Sequence, residues 1–261
     1  MLLAPSSARI PASFNRRGTD STRYWKLLHE MQRLRGRIYL EDGAIHASRL
    51  VDGRHHSDVD SLSWHLLVVN AEDRIFGCAR FHEHSKPVVF SKLNVARSAL
   101  ARSPEWGHAL NAALEAELML SRDLDLPYVE LGGWALAEEI RGTTEALRVA
   151  LATYAFWDVL GGAVCLSTAT RRNCSASILR RIGGRFLTHE GTELPAYYDP
   201  QYNCEMEILR FYSWAPNPRY AVWIDRMKEE LSQIPILAGH AGLEECPRRH
   251  NLPHMARAQT A

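Results

Sequence analysis

Between residues 22 and 39 the apolar positions Tyr24, Leu27, Leu28, Met31, Leu34 and Ile38 recur every three or four residues, which sets them on one stripe of a helix. The period then changes. Residues 64–69 and 74–81 are short apolar runs joined by a turn-like Asn-Ala-Glu-Asp, and they predict an antiparallel hairpin. Residues 88–93 suggest a third strand. Trp106, Leu110, Leu114 and Leu118 restore helical spacing across residues 105–124. The chain then reads as a strand over 127–136, a helix over 143–160 ended by Gly161-Gly162, and a buried strand over 163–168. A helix over 173–182, ended by Gly183-Gly184, and a last strand over 204–211 complete the pattern. This order predicts an α/β fold, a mixed central sheet flanked by helices with one right-handed parallel crossover.

The two ends lack such periodicity. Residues 1–20 are expected to form a loose arm and residues 236–261, where Gly, Pro, His and Arg interleave, a poorly ordered tail. No repeat or linker divides residues 21–235, so a single domain is expected there. The apolar start is too short for a secretory signal and is broken by Pro5 and Arg9. No apolar run reaches the roughly 18 residues of a membrane helix. A formal net charge of +1 argues against a general nucleic-acid binder. The five cysteines are scattered and odd in number, as in the reduced core of a cytoplasmic protein.

Candidate chemistry gathers where the 127–136 strand turns into the next helix. A helix N-terminus has free N–H groups and a partial positive charge, so Arg141, Gly142, Thr143, Thr144, Glu145 and Ala146 suit an anion such as a phosphate. The plainer reading makes Thr143 an N-cap and Glu145 a complement to the helix dipole. Glu130, in an apolar strand beside Gly132 and Gly133, is either a desolvated carboxylate of raised pKa, usable as a general base, or a strand carboxylate facing solvent or an arginine. Arg35, Asp58, Asp60 and Arg80 form either a cluster that recognises the amine and carboxylate of a small acceptor or a set of surface ion pairs. Arg171, Arg172, Arg180 and Arg181 suit an acidic carrier protein or nucleotide phosphates, or else a solvated helix face. His55-His56 with Asp58, His82-x-His84 and Cys246-x3-His250-x3-His254 offer ligand types without a complete zinc spacing, and no metal is expected.

Several of these motifs together resemble one family. The element order and the run Arg141-Gly142-Thr143-Thr144-Glu145-Ala146 are similar to GNAT-fold N-acyltransferases, which carry Arg/Gln-x-x-Gly-x-Gly/Ala at the start of the central helix; Thr144 stands where that motif has Gly. Arg35-Gly36-Arg37-Ile38-Tyr39, Asp58-Val59-Asp60, Gly77-Cys78-Ala79-Arg80-Phe81 and Glu130-Leu131-Gly132-Gly133-Trp134-Ala135 resemble segments of the acyl-homoserine lactone synthase and long-chain N-acyl amino acid synthase branch. Gly133 departs by replacing an arginine. The resemblance implies transfer of an acyl group from acyl-CoA or an acylated carrier protein to the primary amine of a small acceptor. Glu130 would be the base, Arg141–Ala146 the donor phosphate seat, and Arg35, Asp58, Asp60 and Arg80 the acceptor site. It implies no permanently bound cofactor. Leu179 stands where related enzymes often place an acidic tyrosine, so no general acid is assigned. A non-catalytic thioester-binding or regulatory domain is the alternative on the same fold.

Overall fold

The structure, a computed structural model, describes residues 1–239 and the backbone of residues 245–246. Ten strands form its main sheet: β1 (Leu2–Ala4), β2 (Arg17–Thr19), β3 (Trp64–Val69), β4 (Ile75–Glu83), β5 (Tyr128–Leu136), β6 (Val164–Thr170), β7 (Arg185–Phe186), β8 (Tyr197–Asp199), β9 (Cys204–Tyr212) and β10 (Ile236–Ala238). Their order is β8-β9-β6-β5-β4-β3-β1-β10-β2, with β7 also paired to β9. The helices are α1 (Ser21–Glu41), α2 (Gly107–Asp123), α3 (Thr144–Val159), α4 (Ser175–Ile182) and α5 (Ala221–Gln233). The sheet is mixed: β5 and β6 are parallel and joined through α3, while β3–β4, β4–β5 and β6–β9 are antiparallel.

Alternation along the strands makes three layers. Trp64, Leu66, Ala79, Phe81, Val129, Leu209 and Phe211 share one core with α3, α4 and α5. On the other face Leu3, Leu67 and Cys78 pack under α1, and Tyr128, Val164, Leu166 and Ile208 under α2. The α1 stripe is buried as its spacing predicts, and Asp20 caps the helix by accepting from the Arg23 amide at 2.9 Å. The hairpin turn at 70–73 is held by the Asn70 side chain, which accepts from the Glu72 and Arg74 amides.

Three expectations change. Residues 1–20 are not a loose arm: β1 is fully buried between β3 and β10, and β2 extends the sheet. Leu2, Leu3 and Ala4 are too few to show a period, yet they fill a slot between two longer strands. Residues 236–238 likewise leave the expected tail to form β10. Residues 240–244 and 247–261, with His250 and His254, lie outside the described residues, and of Cys246 only the backbone is described, in a two-residue strand, Glu245–Cys246, beside Ile10–Pro11. The expected strand at 88–93 is instead a 3₁₀ turn, Phe90–Lys92, followed by a second at Asn94–Arg97, because Val88 and Leu93 are buried against α2 rather than alternating across a sheet. The helix α5 was not anticipated; Ile224, Met227 and Leu231 bury its inner stripe. No helix among the described residues is long and apolar enough to cross a membrane.

Candidate active site

The middle of the sheet opens at one place. The parallel ladder between β5 and β6 runs only from Tyr128↔Val164 to Leu131↔Ser167, although β5 continues to Leu136 and β6 to Thr170. From Gly132 onward β5 has no strand partner on the β6 side, and the Gly133, Trp134 and Leu136 carbonyls accept instead from Cys78 Sγ, the Tyr39 hydroxyl and Arg141 Nε. On its other edge β5 bulges: Arg80 pairs Gly132 and Cys78 pairs Ala135, so Gly133 and Trp134 together oppose Ala79. Gly133 has φ +61°, and a Cβ there would come within 3.1 Å of Arg35 Nη1 and of Arg80 Cβ. Both the left-handed backbone and the close contacts favour glycine here over the arginine of the related motif.

Past β5 the chain makes a 3₁₀ turn, Glu138–Ile140, and enters α3. Thr143 caps it, its Oγ1 accepting from the Glu145 amide at 3.2 Å, while Gly142 takes φ +73°. Residues Arg141 to Thr144 are exposed and Glu145 and Ala146 half-buried, so the helix end is open to solvent beside the splayed strands. Arg141 itself is turned away, with both terminal nitrogens on Asp42 at 2.9 and 3.0 Å and Nε on the Leu136 carbonyl. Any anion here would rest on main-chain N–H groups rather than on Arg141. Glu145 is paired with Arg148 at 3.0 Å, which weakens its repulsion of an anion.

Under the bulge lies a buried charge cluster. Gln32, Arg35 and Tyr39 follow the inner face of α1. Gly36 lets the 50–55 loop close on the helix, since a Cβ there would meet the Gly53 carbonyl at 2.8 Å. Arg35 binds Asp60 in a two-pronged pair (3.1 and 2.5 Å) and also donates to the His55 carbonyl. Arg80 reaches the same carboxylate at 3.2 Å, and Gln32 and the Ser57 amide each donate to it at 3.0 Å. Burial alone would raise the Asp60 pKa, but the charge and hydrogen bonds of Arg35, with His65 and Arg80 assisting, hold it well below the usual carboxylate range. His65 beside it is pushed down to about 4, first by burial and then by the two guanidiniums, against the pull of Asp60. The cluster thus has two positive charges and one negative. Asp58 does not join it; its side chain is fully exposed near His56 at 3.8 Å.

Glu130 is buried on the same face of the sheet. Its carboxylate accepts from His84 Nε2 at 2.8 Å, from the Asn94 amide at 2.9 and 3.1 Å, and from Asn94 Nδ2 at 2.9 Å. Burial acts to raise its pKa, but His84 and the Asn94 and Val95 amides outweigh that and hold it below the ordinary value. The expected upward shift is therefore reversed, because the carboxylate sits among donors rather than in an apolar strand. Asn94 was invisible in the sequence, since its partner lies 36 residues away across a loop. His82 and His84, read above as incomplete metal ligands, have other partners: His82 Nδ1 meets Ser63 Oγ at 3.2 Å and His84 meets Glu130.

The arginines near α4 are mostly committed. Arg171 and Arg180 both pair with the fully buried Glu207, at 2.7 and 3.2 Å, and Arg171 also reaches Glu205. Arg172 donates to the Asp42, Gly43 and Asn203 carbonyls. Charge reversal at Arg171 or Arg180 would remove one of the two cations that neutralise Glu207, so these positions act as internal ties as much as docking contacts.

The buried imidazoles predict acid lability. His65 and His82 have pKa values lowered to about 4, largely by burial, so between about pH 4 and 6.5 the unfolded chain binds more protons than the folded one. Stability falls as pH drops through that window, with a slope of up to about 1.4 kcal/mol per pH unit for each imidazole. Urea midpoints at pH 7 and pH 5 check this; equal midpoints would mean that the imidazoles are hydrated.

The chain matches no protein-family model and no curated protein. Among solved structures it is similar to a CoA-dependent acyl-homoserine lactone synthase, BjaI, determined with SAM and isopentyl-CoA. That match has 17% identity, covers 87% of this chain and 90% of that one, and has a TM-score of 0.53. A second CoA-dependent acyl-homoserine lactone synthase, MesI, matches at 16% identity over 82% of this chain and 93% of that one, with a TM-score of 0.50. At these identities the likeness establishes the fold: a GNAT-like acyltransferase fold with its central mixed sheet flanked by helices.

Proposed function

We propose, from that shared fold and the open seam in its sheet, that the protein is an N-acyltransferase. Its donor is acyl-CoA or an acylated phosphopantetheine, and its acceptor is the primary amine of an amino acid or a close derivative. The observation that carries this reading is the unpaired stretch of β5 from Gly132, bulged at Gly133, with a helix N-terminus at its outer end and a buried arginine–aspartate cluster beneath it. A pantetheine arm laid in the seam would pair with the free edge of β5 as a further strand. Its phosphate would meet the N–H groups of α3. The thioester carbonyl would then lie beside the bulge, where main-chain N–H groups stabilise the oxyanion.

The acceptor side follows from charge. Arg35 and Arg80 share one carboxylate, so the cluster retains a positive charge that suits a carboxylate on the acceptor. Arg80 Nη2 lies 3.6 Å from where a Cβ on Gly132 would stand, which puts that attraction beside the seam. The amine nitrogen attacks the thioester carbon, a C–N bond forms, the C–S bond breaks, and the thiolate takes up the proton that the amine releases.

Glu130 is the proposed proton acceptor, with a restricted part. The α-ammonium, with a pKa near 8, must lose one proton to solvent before its nitrogen can attack, and Glu130, held below the ordinary carboxyl value by His84 and the Asn94 amide, is a poor acceptor for that first proton. The neutral nitrogen becomes acidic as the C–N bond forms, and its second proton then passes to Glu130 and from there to the departing thiolate. That the carboxylate is already bonded to His84 and Asn94 favours a second reading, a domain that binds thioesters without turning them over.

The donor seat is tested by Thr144→Asp. A carboxylate at the first turn of α3 occupies the place of the phosphate and repels it, on an exposed position where the fold tolerates the change. Calorimetry with acyl-CoA should show binding at least about tenfold weaker, with an unchanged melting profile. Unchanged affinity would remove α3 from the donor site.

A further inference from the structure

Along β4 the ladder sets Arg80 opposite Gly132 and His82 opposite Glu130, and the His84 amide extends it by donating to the Tyr128 carbonyl at 3.0 Å. Alternation therefore puts Arg80, His82 and His84 on the face of the sheet that carries Glu130. Their hydrogen-bond partners give the imidazoles different parts. Ser63 has one hydroxyl hydrogen and gives it to the Val59 carbonyl at 2.6 Å, so toward His82 Nδ1 its oxygen accepts. His82 thus carries its proton on Nδ1, and its pKa, lowered to about 4 mainly by burial, keeps the ring neutral. His65 is spent in the same way, since its Nε2 faces the Asp60 carbonyl, an acceptor, at 2.7 Å.

His84 is the imidazole that meets Glu130. Its Nε2 faces a carboxylate oxygen at 2.8 Å and is therefore the donor. The ring is wedged edge-on to His82, with centroids 4.6 Å apart, and beside Tyr128 at 6.5 Å. The two oxygens of Glu130 share their donors unevenly. Oε2 takes His84 Nε2, Asn94 Nδ2 at 2.9 Å and the Asn94 amide at 3.1 Å, whereas Oε1 takes the Asn94 amide at 2.9 Å. The Val95 amide adds its attraction for the charged form. With three donors on Oε2, an arriving proton goes to Oε1.

We propose that His84 is a positioning residue for the proton transfer: by anchoring Oε2 it turns Oε1 toward the amine nitrogen at the seam. The inference rests on the acyl-transfer reading given above. The Asn94 amide bridges both oxygens and cannot distinguish them, while His84 binds one. The same bond favours the ionised carboxylate, so the proton does not stay. The Oε1–H bond breaks as the S–H bond of the departing thiol forms, and Glu130 is left ionised for the next turnover.

His84→Gln and His84→Asn test this, with the acyl-CoA and amino acid that the wild type turns over fastest. A glutamine amide nitrogen can stand where Nε2 stands, while that of asparagine falls short of Glu130. His84→Asn should lower kcat about tenfold or more with donor KM within about twofold of wild type, and His84→Gln should recover most of the loss. In a Glu130→Gln background His84→Asn should cost less than about twofold, because an effect exerted through Glu130 vanishes with it. Melting curves accompany each variant, and the equally short His84→Ser replaces His84→Asn if the latter unfolds. An unchanged kcat in His84→Asn, equal losses in both variants, or the full loss repeated on Glu130→Gln would overturn the positioning role while leaving acyl transfer standing. A wild type that turns over no thioester would overturn acyl transfer itself, and this inference with it.

Discussion

Asp60→Ala lowers the stability of the fold by about 3–5 kcal/mol, the cost of leaving buried charge without its partner. Arg35 and Asp60 are each only 1% exposed, and Arg80 is 14% exposed on the same carboxylate. Removing that one group strands two guanidiniums and the Gln32 amide beneath the bulge, and the Gly133 backbone packs directly on both arginines. Urea denaturation measures the loss. The pH dependence has a defined sign: because the folded-state pKa of Asp60 is depressed, its stabilisation is fully present above the unfolded value near 4 and disappears as pH falls toward the lower folded value. The wild type should therefore approach Asp60→Ala in stability only in strong acid. A loss below about 1 kcal/mol would show that water reaches the cluster, as at an exposed ion pair, and would remove its claim to an acceptor carboxylate.

Glu130→Gln lowers kcat by about 10²–10⁴-fold with little change in donor KM, the range expected when a general base is lost. The substitution keeps the shape but turns an acceptor into a donor that faces His84 and Asn94, so melting curves must accompany the kinetics. One feature separates a base from a structural anchor. The deficit of the variant should shrink as pH rises toward 9, because hydroxide can then take the proton that Glu130 no longer accepts. A deficit that is constant with pH, matched by a fall in melting temperature, would make Glu130 a tie between β5 and the Asn94 turn and nothing more.

Much of the architecture was legible because the elements that build it are long and periodic. The stripes of α1 and α2, the 70–73 turn and the double-glycine stops after α3 and α4 each state their structure locally. What failed was short or non-local. β1 has three residues and owes its place to the gap between β3 and β10. Residues 88–93 were mistaken for a strand because Val88 and Leu93 are buried by α2, and burial without alternation resembles a strand at that length.

In the site, Arg35, Asp60 and Arg80 come together as expected, from three elements separated by 20 or 25 residues. Asp58, two positions from Asp60, points to solvent, and nothing in the spacing distinguishes the two acids. The Glu130 pKa was misjudged in sign for a related reason: strand neighbours suggest an apolar setting, while the donors that decide the matter come from His84 on the next strand and from a loop. Arg141 was placed on the phosphate by its sequence position, yet Asp42 at the end of α1 holds it.

In the proposed reaction a thioester in the β5–β6 seam gives its acyl group to an amine. The most direct measurement is paired quantification of free thiol and N-acyl product from purified protein, acyl-CoA of graded chain length and a mixed amino acid pool. Expected are one thiol per N-acyl product, dependence of thiol release on the amine, and loss of both in Asp60→Ala and Glu130→Gln. Thiol release that ignores the amine, or tight acyl-CoA binding with no release in any amine, would contradict it.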